Sequence, residues 1–115
     1  MNDLETIADK LEQFAVERDW NRFHTPKNLV MALSVEAGEL MEEFQWLTEE
    51  EIRTLTDESR ARITDECADV LNYLVRLSSK LGIDLIAAAH AKIVKNAEKY
   101  PVEKAKGSAR KYTDL

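Results

Sequence analysis

Glycine and proline are scarce, three and two in 115 residues, which is too little turn chemistry for a hairpin-rich β fold. A single cysteine, Cys67, excludes an internal disulfide framework and a cysteine-based zinc site. Cys67 falls on the apolar side of its segment and is expected as a small core residue. No apolar run approaches the roughly 20 residues needed to cross a bilayer, and no secretory leader is evident. A cytoplasmic protein without membrane contact is therefore expected. Positive charge is lacking over most of the chain. Residues 1–91 carry nine Lys and Arg against nineteen Asp and Glu, whereas residues 92–115 carry seven against three. An acidic body argues against nucleic acid as a partner. The basic segment is suited to a small polyanion, provided cations neutralise the acids.

What the chain does have is helical periodicity. Leu4, Ile7, Ala8, Leu11, Phe14 and Ala15 predict an amphipathic helix over 3–18. Residues 19–24 break the pattern and read as a loop. Thr25-Pro26 supplies an N-cap and a first-turn proline for a second helix, expected to run to about Trp46. Gly38, inside that helix, costs about 1 kcal/mol against alanine, so a close backbone approach is expected there. Thr48 and Glu51 form a capping box for a short turn, and a long helix is expected over 58–81. Gly82 stops it and Asp84 caps another helix over 84–99. Residues 101–115 read as a basic arm. The sum is one all-α domain over 1–115, a four-to-five-helix bundle.

The chemistry concentrates in two acid pairs. Glu36 and Glu39 lie three apart on the second helix, beside the apolar stripe of Leu33, Ala37, Leu40, Phe44 and Leu47. Glu66 and Asp69 repeat that spacing on the long helix, beside Ile63, Val70, Leu74 and Leu77. If the two helices pack antiparallel, four carboxylates converge at one level, an arrangement that repels itself unless a cation is bound. Ferritin-type iron or manganese sites need Glu-x-x-His pairs, and neither His24 nor His90 has that spacing. All-oxygen ligands favour Mg2+, with Mn2+ as a substitute, and magnesium commonly bridges to phosphates. Trp20 and Trp46 offer faces for a nucleobase, though core packing explains either one alone. His24 and Tyr73 are weaker candidates for contact with a nucleotide.

The runs Glu17-Arg18-Asp19-Trp20-Asn21-Arg22-Phe23-His24, Glu36-Ala37-Gly38-Glu39-Leu40, Phe44-Gln45-Trp46 and Glu66-Cys67-Ala68-Asp69-Val70-Leu71 carry a resemblance. So do Asn96-Ala97-Glu98-Lys99-Tyr100-Pro101 and Lys111-Tyr112-Thr113-Asp114-Leu115. Together they resemble the dCTP pyrophosphatase branch of the MazG-like nucleotide pyrophosphohydrolases, over nearly the whole chain. Val35 stands where many members have a first glutamate, and Leu11 where animal members have a histidine.

The resemblance implies the all-α NTP pyrophosphatase fold, assembled as a homodimer or homotetramer. It implies that Glu36, Glu39, Glu66 and Asp69 bind magnesium, with Glu36 or Glu39 orienting the attacking water. Trp20, Asn21, Arg22, Phe23 and His24 would form one nucleoside-contact segment, joined by Trp46 and Tyr73. Lys92, Asn96, Lys99, Lys111 and Tyr112 resemble positions near the triphosphate. The implied activity is hydrolysis of a nucleoside triphosphate, dCTP or a modified dCTP, to monophosphate and pyrophosphate. The alternatives are a broader or dUTP-directed house-cleaning hydrolase and a non-catalytic helical module.

Overall fold

The computed structural model describes residues 1–115 and contains helices and turns without any strand. In chain order the helices are α1 (Asp3–Glu17), α2 (Pro26–Glu42), α3 (Glu49–Arg53), α4 (Asp57–Leu81), α5 (Leu85–Lys99) and α6 (Val102–Ala105). Two 3-10 turns, Asn21–Phe23 and Tyr112–Asp114, complete it. The chain divides into two compact units, Met1–Ile83 and Asp84–Leu115.

The starts of the helices follow from their caps. Asn2 and Glu5 form a capping box on α1, Thr48 and Glu51 another on α3, and Thr25, Thr56 and Asp84 accept from the first turns of α2, α4 and α5. Each such cap contributes about 1 kcal/mol. Gly82 ends α4 in the left-handed conformation, φ 66°, which glycine adopts without a Cβ penalty.

In the first unit, α4 packs against both α2 and α1. The fully buried apolar residues are few and come one from each helix: Ala15, Leu29 and Val75. Pairings between α2, with its C-cap, and α4 run in opposite order along the two helices. Glu43 bonds Arg62, while Glu36 and Glu39 adjoin Glu66. The two helices are therefore antiparallel, as the acid pairs required.

Four expectations need correction. α2 ends at Glu42, so Phe44, Gln45 and Trp46 lie in turns rather than on the helix. Glu39, Glu42 and Glu43 sit against the negative end of the helix dipole, where acids weaken the last turn. Cys67 is exposed, not a core residue. Nothing lies within 4 Å of a Cβ built on Gly38, so no backbone of this chain approaches it. The stretch read as an arm contains α6 and the second 3-10 turn, where the Tyr100 hydroxyl accepts from Tyr112 N at 3.1 Å.

Candidate active site

The acid cluster forms where α2 crosses α4. Carboxylate oxygens of Glu36, Glu39 and Glu66 lie within 4.8 Å of one another. Glu36 and Glu66 are half-buried, and Oε2 of each is shut away from solvent with no hydrogen-bond donor. An unsatisfied buried carboxylate oxygen is costly. Burial, then the neighbouring Glu39 carboxyl and the charges of Asp69 and Glu66, push Glu36 up to about 7. Burial and the charges of Glu39 and Asp69 also raise Glu66. Asp69 stands one turn further along α4 and is exposed. It is not among the three whose oxygens converge, although its charge reaches both raised glutamates. Two bare inward oxygens among hard anionic ligands fit a divalent cation, and nothing else in this chain satisfies them.

Asp69 also belongs to a neighbouring cavity of about 360 Å3, a volume suited to a small molecule. Lys10, Leu11 and Phe14 of α1, Trp20 and His24 of the loop, and Asp69, Asn72, Tyr73 and Arg76 of α4 line it. The aromatic wall is ordered edge to face: Phe14 to Trp20 at 5.6 Å and Trp20 to His24 at 6.2 Å between ring centroids. Burial and the charges of Glu36, Asp69 and Glu39 raise the Tyr73 phenol, so its O–H remains a donor at neutral pH.

The loop from Trp20 to His24 is pinned at both ends. Asp19 turns the chain in the left-handed conformation, φ 55°, which aspartate tolerates better than most residues. Trp20 N donates to Ala15 O at 2.9 Å, and Asn28 Nδ2 donates to Phe23 O at 2.9 Å. Arg76, buried on α4, donates to Glu12, Asn21 and His24. Arg22 and Phe23 are exposed and stack on each other, 4.7 Å from guanidinium to ring centroid.

Of the residues singled out in the sequence, Trp20, His24, Asp69 and Tyr73 share the cavity, and Glu36, Glu39 and Glu66 share the acid cluster. Trp46 is 84% exposed and lines no part of the cavity. Lys92, Asn96, Lys99, Lys111 and Tyr112 lie in the second unit, where Lys99 Nζ sits 4.9 Å from the Tyr112 ring. Sequence reasoning missed Glu12, Asn72 and Arg76. The available signal was a charge on the apolar side of α4, with Arg76 wedged between Val75 and Leu77.

Residues 31–115 match the MazG-like family. The chain belongs to the MazG-like family. It is 45% identical over 114 residues to dCTP pyrophosphatase 1 of Bos taurus, spanning 97% of this chain and 68% of the relative. Identity to dCTP pyrophosphatase 1 of Homo sapiens is 44%, spanning 97% and 67%. The crystal structure of a pyrophosphatase from Archaeoglobus fulgidus superposes with a TM-score of 0.81 at 37% identity, covering 88% of this chain and 94% of that one. The family match crosses both compact units.

Proposed function

We propose that the chain is a magnesium-dependent pyrophosphohydrolase that converts dCTP, or a modified dCTP, to the monophosphate and pyrophosphate. The single observation that carries this is the juxtaposition of the acid cluster and the aromatic cavity, with Asp69 bordering both. One set of ligands suits a phosphate-bound cation and the other suits a nucleoside. Family membership and the names of the relatives support an enzyme over the non-catalytic module.

Glu36, Glu39, Glu66 and Asp69 would hold Mg2+, or Mn2+ in its place. Bound there, the ion would neutralise phosphate charge and polarise the phosphoryl group. The chain's own residues divide the remaining work. Trp20 and Phe14 pack the nucleoside, His24 and Tyr73 offer it polar atoms, and the walls exclude water from its apolar side. Glu39 is the exposed member of the cluster and is free to align a water, whereas Glu36 and Glu66 each direct one oxygen inward. The water oxygen bonds to phosphorus as the α–β bridging bond breaks, and the carboxylate takes the proton. Lys92, Asn96, Lys99, Lys111 and Tyr112 are assigned to the triphosphate, and all 115 residues to one catalytic domain. No helix is long and apolar enough to cross a membrane, which is compatible with a cytoplasmic setting.

A homodimer or homotetramer forms part of the proposal. α2 is apolar on two sides: Leu29 is buried and Leu40 half-buried, while Val30, Met31, Val35 and Met41 are 46–62% exposed. Gly38 lies within that second face, bare of neighbours, where a second helix can come close. On α5, Ile93 and Val94 are also about 60% or more exposed. A role for Trp46 in substrate binding then requires a second copy to cover it. Leu11 favours a second, wider reading. It supplies an apolar wall where a polar contact would select the base or sugar, so dUTP or other triphosphates also fit.

Incubation with Mg2+ and a panel of dCTP, 5-substituted dCTP, dUTP, dTTP and ribonucleotides tests the proposal. Monophosphate plus pyrophosphate, fastest from dCTP or its analogues, is the expected outcome. Orthophosphate plus diphosphate means that another bond is cut, and no turnover with any substrate refutes the hydrolase.

A further inference from the structure

We propose that Arg76 is a positioning residue of the nucleoside pocket, holding His24 as the neutral imidazole protonated on Nε2 and so giving the pocket wall a fixed hydrogen-bond donor. The inference rests on the cavity being the nucleoside pocket. It starts from the inventory of an arginine, which has five N–H donors and no acceptor. Arg76 Nε lies 3.2 Å from His24 Nδ1, so that nitrogen must present its lone pair. The ring is then neutral and its proton is on Nε2.

The rest of the network leaves Arg76 no freedom to do otherwise. Its other two nitrogens are taken by Glu12 Oε2 and Asn21 Oδ1. Lys80 Nζ also donates to Asn21 Oδ1, at 3.1 Å, and Asn21 Nδ2 donates to the second oxygen of Glu12 at 3.0 Å. The Asn21 amide is oriented in turn, with its oxygen toward two cations and its nitrogen toward a carboxylate. Arg76 is 4% exposed, so water does not compete for its donors. One side chain therefore joins α4, α1 and both ends of the 3-10 turn.

The charged groups around the ring oppose one another, and burial sides with the cations. Arg76 and Lys80 from α4 stand against Glu12 from α1, while Asp69 and Lys10 line the cavity further off. Burial together with the Arg76 and Lys80 charges holds His24 below the usual imidazole range. A donor fixed in this way selects nucleosides that bring an acceptor oxygen or ring nitrogen to it, and leaves itself unpaired against those that do not.

Long-range 15N–1H correlation NMR of the nucleotide-free protein at pH 7 reads the tautomer directly. A neutral His24 with its proton on Nε2 is expected; an Nδ1–H tautomer or an imidazolium overturns the inference. Calorimetry then compares Arg76→Met and Arg76→Lys using two ligands, α,β-imido-dCTP and inorganic tripolyphosphate. The Met variant is expected to lose the single tautomer and weaken the nucleotide analogue by about tenfold while leaving tripolyphosphate unchanged. The Lys variant, which keeps a donor, is expected to recover part of that loss. Equal losses for the two ligands, or none, overturn the positioning role. Failure of the wild-type protein to bind the analogue, with the tautomer as expected, refutes the nucleoside-pocket reading and the role together. Binding with the wrong tautomer refutes the role alone.

Discussion

Helix α4 carries two polar clusters ten residues apart, and they are built on opposite principles. At Glu66 three carboxylates crowd together, two of their oxygens are buried without a donor, and Glu36 and Glu66 are pushed toward their neutral forms. At Arg76 every guanidinium nitrogen has a partner, and the hydrogen bond from Arg76, then that from Asn21, holds Glu12 below the usual carboxylate range. The first cluster is incomplete without something positive. The second is complete and can only hold its surroundings still. On the proposed reading, the contrast separates the part of the chain that would hold a cation from the part that shapes the cavity beside it.

The contrast breaks most visibly at Glu66. Glu66→Gln is expected to reduce turnover by about 10³-fold or more, because it removes an anionic ligand of the cation that would balance the phosphate charge. The same change relieves repulsion, so the metal-free variant should melt at or above the wild-type temperature. Glu12→Ala acts in the opposite sense. It strips a buried guanidinium of one of its three partners, a half-exposed carboxylate, and should destabilise the protein by about 1–2 kcal/mol, measured by denaturant unfolding.

Acid should distinguish the clusters as well. Glu36 is raised in the folded state, so the folded protein binds more protons than the unfolded chain between about 4.5 and 7. Stability of the metal-free protein from this group therefore falls as pH rises through that window, and added Mg2+ at pH 8 should restore it. A melting temperature unaffected by Mg2+ at pH 8 would contradict the cluster's role. Val35→Arg on the uncovered face of α2 should shift sedimentation toward the monomer with the acid cluster unchanged. The smallest effect is expected at Arg62→Ala. Its ion pair to Glu43, at 3.1 Å, is half-exposed and should contribute less than about 1 kcal/mol.

Local signals in the sequence carried much of this. The caps at Asn2, Thr25, Thr48, Thr56 and Asp84 and the stop at Gly82 act within four residues, so they mark helix ends without tertiary information. Glu36, Glu39 and Glu66 were visible because three-residue spacing puts acids on one face. Arg76 was not legible as a hub, because its partners Glu12, Asn21 and His24 lie 52 to 64 residues away. The early end of α2 lies where three glutamates meet the negative end of the helix dipole, a local cost that the apolar periodicity through Phe44 does not register. Cys67 was misread for a related reason. Periodicity finds an apolar side but cannot say whether this chain covers it.

The most direct test of the central claim is Mn2+ binding by electron paramagnetic resonance on metal-stripped protein at pH 8, comparing wild type with Glu66→Gln. The account predicts loss of free-ion signal with the wild-type protein and its return with the variant, while the helical circular dichroism of the two stays the same. Equal Mn2+ binding by the two proteins would contradict it.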